Sequence, residues 1–168
     1  MTSPSHDECR VCLFELGGHT FGLRLESVRE IVPMATLSWP PSMPSILEGF
    51  LNLRGTALPV LRLAELLGLP QDDLDLHTPL VILRGAELPL ALLVNRVTGI
   101  VSLPVDGLVP ISKGESFNGC VDGQLTTVGS TVHLLSLDRL LLEKEKRIVA
   151  EFHATETRRL HQIEQGPS

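Results

Sequence analysis

Four groups of residues in this chain have types that could do chemistry. Cys9-Arg10-Val11-Cys12 is a CxxC pair, the spacing used for zinc binding and for thiol–disulfide exchange. On a strand, that odd spacing sends the two thiols to opposite faces, so they cannot grip one metal. A structural zinc needs about four ligands, and the remaining cysteine, Cys120, is isolated. The redox version needs CxxC at a helix start. Gly114 to Gly119, GESFNG, has the outline of a nucleophile elbow but the wrong register and no strand–turn–helix context, so it reads as a loop. Asp72, Asp73 and Asp75 lack the glycine and closing glutamate of a calcium loop and read as a solvated turn. The histidines show no metal-type spacing with carboxylates or cysteines. His153 and His161 share a helix face, but two turns apart they are too distant to chelate one ion. With no GxGxxG and no Walker loop, the sequence assigns no catalytic, metal or cofactor-binding residue. An enzyme is not expected.

The elements that carry these residues are short. Hydrophobic residues make up 43% of the 168 positions and charged residues 20%, the balance of a chain that folds. The length suits one domain, or two very small ones sharing a core. Aromatic residues are only 4%, with no tyrosine, so Leu, Val and Ile must build that core. The net charge of −6 and the scattered basic residues oppose nucleic-acid binding. The start, MTSPSHDECR, is not a signal peptide. The best apolar run, Leu88 to Val94, is far shorter than the ~20 residues that span a bilayer. A cytoplasmic location without direct membrane insertion is expected, and so few cysteines suit a reducing compartment.

Apolar runs broken by turn residues dominate. Arg10 to Leu16, Gly17-Gly18 and Thr20 to Leu25 read as a hairpin. Ser27 to Pro33 reads as a helical turn passing into a strand, and Ser38 to Ser45 as a proline-rich loop. Two strands flank Gly55, followed by a short helix in RLAELLGL that stops at Gly68. The second half repeats the style in LVILRG, LPLALLVNRV, GIVSLP, NGCVDG, LTTVGS and TVHLLSL. Such spacing indicates small barrels and not a parallel α/β sheet. From Ser136 the chain changes to one long exposed helix without Gly or Pro, with Glu143 four residues before Arg147 and a stripe of Leu141, Ile148, Phe152, Leu160 and Ile163. It is expected to pack at its start and fray toward its end, and to be dispensable for folding beyond about Glu145.

VREI at Val28 to Ile31 and EGFLNLRGTALPVLRL at Glu48 to Leu63 resemble the CheW family of chemotaxis coupling proteins. FELGGHTFGLRLESVREI, LLVNRV and VHLLSLDRLL match the family's opening, its second-half strand and its closing strand and helix. The resemblance covers Val11 to Leu142. It implies an all-β fold of two interlocked five-stranded SH3-like barrels with short helices and a C-terminal helix. Its domain reading is a flexible N-terminus at 1–9 and a CheW-like domain at 10–142. That domain divides into barrels at roughly 17–84 and 85–137 with the first strand shared, and a helical extension occupies 143–168.

The resemblance further implies a non-catalytic adaptor without cofactor. Its partners would be the regulatory domain of a CheA-like histidine kinase and the cytoplasmic tip of a methyl-accepting chemoreceptor, at membrane receptor arrays. The alternatives are a CheW-like adaptor of a surface-sensing or developmental pathway and a small ligand-binding or enzymatic barrel. By matching position, Val28, Gly49, Leu80 and Val81 belong to a receptor-binding groove, and Glu30 and Arg54 to the family's acidic and basic pair. Two positions depart from the family pattern: Arg62 stands where an acid is usual, and Val94-Asn95-Arg96-Val97 lacks an aspartate.

Arg54 is the one charge inside GFLNLRGTALPV. On a strand, Phe50, Asn52 and Arg54 would share one face, while Leu51 and Leu53 would fill a barrel from the other. Arg54 would then face the seam between barrels and grip Glu30 with its planar fork.

Overall fold

The Gly17-Gly18 pair sets the first hairpin. Both glycines have positive φ, 56° and 81°, as a two-residue type I′ turn demands, and Leu16 lies opposite His19. The computed structural model describes residues 8–70, 73–84, 89–109, 117, 120–127, 129–141 and 143–165. Asp72 and most of the GESFNG stretch lie outside the described residues.

The strands are β1 (Glu8–Leu16), β2 (His19–Arg24), β3 (Val28–Pro33), β4 (Leu47–Leu53), β5 (Thr56–Arg62), β6 (Pro79–Leu83), β7 (Ala91–Leu93), β8 (Arg96–Pro104), β9 (Val121–Thr127) and β10 (Ser130–Leu135). The helix α1 (Leu63–Leu67) ends at Gly68 in the left-handed conformation, φ 75°. A long helix, α2, runs from Glu143 to Gln165. The strands form two five-stranded sheets, ordered β8-β1-β2-β10-β9 and β3-β6-β7-β5-β4. This is the mostly β, paired-sheet architecture expected, and it is compatible with SH3-like barrels.

The barrel boundaries differ from the expected 17–84 and 85–137. β1 and β2 pair with β8 and β10, so one sheet takes residues from both ends of the domain, and the other is the continuous middle, Val28 to Leu93. Hairpin chemistry fixes local pairs, but the parallel β2–β10 and β5–β7 contacts are long-range and leave no local signal. LPLALLVNRV is likewise two strands. The chain crosses between sheets at Val94-Asn95, where the Asn95 N–H donates to the Glu15 carbonyl at 3.0 Å. NGCVDG and LTTVGS contribute to one strand, β9.

The side chains sort into three cores. Leu51, Leu58, Val60, Leu80, Ile82 and Leu93 fill the middle sheet. Val11, Leu103, Leu125, Val132 and Leu134 fill the other. The largest cluster joins both sheets and the helices, with Phe14, Phe21, Phe50, Leu61, Val81 and Val149 among its members. The interlocking is therefore energetic as well as topological, because neither sheet can keep its outer apolar face dry alone. Cys12 lies in this joint core while Cys9 packs against the barrel interior, so the CxxC thiols do take opposite faces of β1. Burial pushes the Cys12 thiol above its ordinary pKa, which disfavours the reactive thiolate.

α2 corrects the expectation of a fraying tail. It packs against β5, with Val149 fully buried and Phe152 and Leu160 half-buried against the joint core. Spacings of three and eight residues keep this stripe on one face. Ser136 precedes a separate 3₁₀ turn, Leu137–Arg139, without a side-chain capping hydrogen bond, and the helix starts later than the sequence suggests. The Ile163 side chain lies outside the described residues.

Candidate partner-docking surface

Arg54 is not on a strand. It is the first residue of the two-residue turn between β4 and β5, with φ 50°, and Gly55 follows with φ 88°. Both positions of a type I′ turn need positive φ, which glycine takes without strain and arginine does not. The turn is steadied by Asn52, whose Oδ1 accepts the Gly55 N–H at 3.0 Å.

From this turn, Arg54 Nη2 donates to Glu30 Oε1 at 2.5 Å. The expected pair exists, but its setting differs. Glu30 lies on β3 and Arg54 beside β4, the two edges of the same sheet, so the contact bridges the open side of one sheet and not the seam between the two. A single nitrogen reaches a single oxygen, and the side chains are 66% and 29% exposed. Arg29 Nε approaches the same oxygen at 4.0 Å. Water screens such a pair, which makes it a surface feature and not a buried clamp.

The four groove residues do not form a surface strip. Leu80 and Val81 have no exposed area and lie in two different cores. Alternation along β6 explains this: neighbouring residues point to opposite faces, and both faces are covered. Val28 is nearly buried, and it is one of the residues lining a cleft of about 670 Å³, with Glu8, Arg10, Arg24, Glu26 and Arg84 among the others. Gly49 is buried where β4 meets the Leu37–Trp39 segment. A Cβ there would come within 2.8 Å of Leu37 Cβ and 2.9 Å of the Ser38 carbonyl oxygen, so close approach requires glycine.

Around Gly49 the sequence conceals several participants. Ser38 and Phe50 exchange both backbone hydrogen bonds at 2.9 Å, which covers the β4 edge. Trp39 is 68% exposed, and its indole N–H donates to the Glu48 carbonyl at 2.7 Å. Arg62 donates to Glu48 Oε2 at 2.6 Å, which gives the departure at this position a structural partner within the hairpin. Arg96 reaches Glu15 at 3.1 Å. From α2, the buried Glu156 accepts from Ser38 Oγ at 2.8 Å and from Arg159 Nη1 at 2.9 Å. A helical spacing scan for apolar residues passes over Glu156, because a carboxylate is normally assigned to the wet face.

Among the described residues no three His, Cys, Asp or Glu side chains gather as metal ligands, and no helix is long and apolar enough to cross a membrane. The exposed features of this region are an ion pair, a tryptophan, and Ile31 on the β3 edge.

Two five-stranded sheets that share one core, with an N-L-R-G turn joining β4 and β5, define the architectural class of this protein. The CheW-like domain model matches residues 10–145, and the chain belongs to this family. It is 24% identical over 136 residues to the chemotaxis protein CheW of Thermotoga maritima, covering 81% of this chain and 89% of that one. It is 29% identical over 97 residues to a probable chemotaxis protein CheW of Rhizobium etli, covering 58% and 63%. The crystal structure of the scaffolding protein TtCheW from Thermoanaerobacter tengcongensis superposes with a TM-score of 0.75 at 22% identity, over 82% of this chain and 97% of that one. That likeness supports the fold.

Proposed function

We propose that this protein is a non-catalytic adaptor that couples a chemoreceptor's cytoplasmic tip to the regulatory domain of a CheA-like histidine kinase, in cytoplasmic arrays beneath the membrane. The observation that carries the reading is the Arg54–Glu30 bridge across the open sheet edge, built from the two residues that the family pattern places there. An exposed charge pair together with the exposed apolar Ile31 and Trp39 suits a wet, selective protein contact, in which charges set orientation and aromatic anchors supply affinity.

Val28 and Gly49 belong to the receptor-facing region in this reading, and Leu80 and Val81 support it from beneath. Their burial makes them scaffold for the contact surface. The adaptor role needs neither nucleophile nor metal.

The test is binding by titration calorimetry between the purified full chain and two probes from its own organism: the kinase regulatory domain and a receptor-tip helical hairpin. Saturable binding of both, and a ternary complex, is expected. A folded protein that binds neither would overturn the reading.

A further inference from the structure

α2 lies almost wholly beyond residue 145, where the match to the family model ends, so the shared fold does not require it. Yet it is docked. Its first half sits as a permanent strut would, with Val149 in the joint core and Phe152 beside it. The second half continues the same face through Leu160, which packs on the same core, but polar groups share that face. His153, Glu156 and Thr157 point into the contact, and Glu156 is only 6% exposed. His153 Nε2 and Thr157 Oγ1 are buried and have no hydrogen-bond partner among the described residues. Each such atom carries a desolvation cost that water would remove on release.

The polar seat also has a specific location. Glu156 holds Ser38, Ser38 pairs with Phe50, and the Leu37–Trp39 segment closes over Gly49. His153 lies against the backbone of Ala57 on β5. The strap therefore fastens onto the outer side of the β4–β5 hairpin, next to the region assigned above to the receptor. A surface that accepts one amphipathic helix through spacings of three and four residues is shaped for another.

We propose that the second half of α2, from His153 onward, is a displaceable strap, and that an amphipathic helix of the receptor tip takes its seat on β5. The proposal rests on the coupling role. Receptor affinity is then set by competition: closing the strap lowers it and removing the strap raises it, by the free energy of docking. In this proposal the kinase contact lies outside the seat, so kinase affinity stays constant.

Two opposite perturbations test this. His153→Leu with Thr157→Val, in the full chain, replaces the unpartnered polar atoms and tightens the strap. Ending the chain after Thr155 removes Glu156 and its hold on Ser38 while keeping Val149 and Phe152. Trp39, the single tryptophan, stands next to Ser38 and reports strap opening by its emission. Amide exchange across 153–162 reports it independently.

The tightened variant should slow exchange and weaken binding of the receptor hairpin by about tenfold, equivalent to about 1.4 kcal/mol. The shortened chain should bind the hairpin about tenfold more tightly. A synthetic peptide of residues 149–165 should compete with the hairpin for the shortened chain. The kinase regulatory domain should bind all three proteins alike.

Hairpin affinities that agree within about twofold across the three proteins would overturn the strap and leave the coupling role standing. Absence of peptide competition would do the same. A hairpin that binds none of them, while all are folded, would remove the coupling role and the strap together.

Discussion

Replacing Arg54 by glycine, by alanine, and each together with Glu30→Ala separates the turn from the ion pair. The left-handed conformation at Arg54 costs a side-chain-bearing residue roughly 1–2 kcal/mol that glycine avoids. The pair, with the arginine two-thirds exposed, is worth about 0.2–1 kcal/mol. Arg54→Ala keeps the strained φ and loses the pair, so it should destabilise by about 0.2–1 kcal/mol. Arg54→Gly relieves the turn as it loses the pair, and the two effects should nearly cancel or leave a gain of up to about 1 kcal/mol. Urea denaturation at low and high salt measures both. The coupling between positions 30 and 54 should be about 0.5 kcal/mol and shrink at high salt. Because Arg54→Gly preserves the fold, it also isolates the guanidinium's role in binding. Receptor-hairpin affinity should fall by about 1–2 kcal/mol in that variant. Coupling above about 2 kcal/mol, or a comparable loss of stability on Arg54→Gly, would refute the reasoning by showing a desolvated pair.

Val81→Asp puts an unpaired charge into the joint core and should cost about 3–5 kcal/mol, so calorimetry should show kinase and receptor binding lost together with the fold and not a receptor-specific defect. Val149→Ala should cost about 1–3 kcal/mol by thermal and chemical denaturation, since a fully buried side chain is cut back in a docked helix; an unchanged midpoint would show that α2 is not seated. Gly49→Ala forces its Cβ against Leu37 and the Ser38 carbonyl and should destabilise by about 1–3 kcal/mol, with a change in Trp39 emission. Burial holds the His153 pKa below its ordinary 6.5, against the opposing pull of the Ala57 carbonyl. The unfolded chain then binds more protons than the folded one as pH drops below about 6.5, so this histidine's contribution to stability is full above that value and is lost on acidification toward the folded pKa. His153→Leu should flatten that part of the stability–pH curve, and identical slopes in the two proteins would sink the assignment.

Local chemistry was readable wherever the deciding forces act between near neighbours. The Gly17-Gly18 turn, the α1 stop at Gly68, and the apolar filling of the middle sheet by Leu51, with Leu53 packed against it, follow from turn dihedrals and from two-residue alternation. The order of N-L-R-G and its flanking strands was sufficient for the family, and with it the Glu30–Arg54 pairing. Position Arg54 itself was misread as strand, because an arginine at positive φ is tolerated only where the hairpin register over-determines it.

What only the tertiary structure decided depends on contacts between distant segments. Alternation says that Leu80 and Val81 face opposite ways, but not that both ways lead to a core. That follows from the second sheet and the helices covering the outer face. The exchange of β1 and β2 with the strands of the second half rests on the antiparallel β1–β8 and parallel β2–β10 pairings, long-range contacts that no turn announces. The seat of α2 was hidden for a complementary reason. A helix buries whichever face its partner surface can satisfy, and here Ser38 satisfies the carboxylate of Glu156, so the decisive complement lies more than a hundred residues away in the chain.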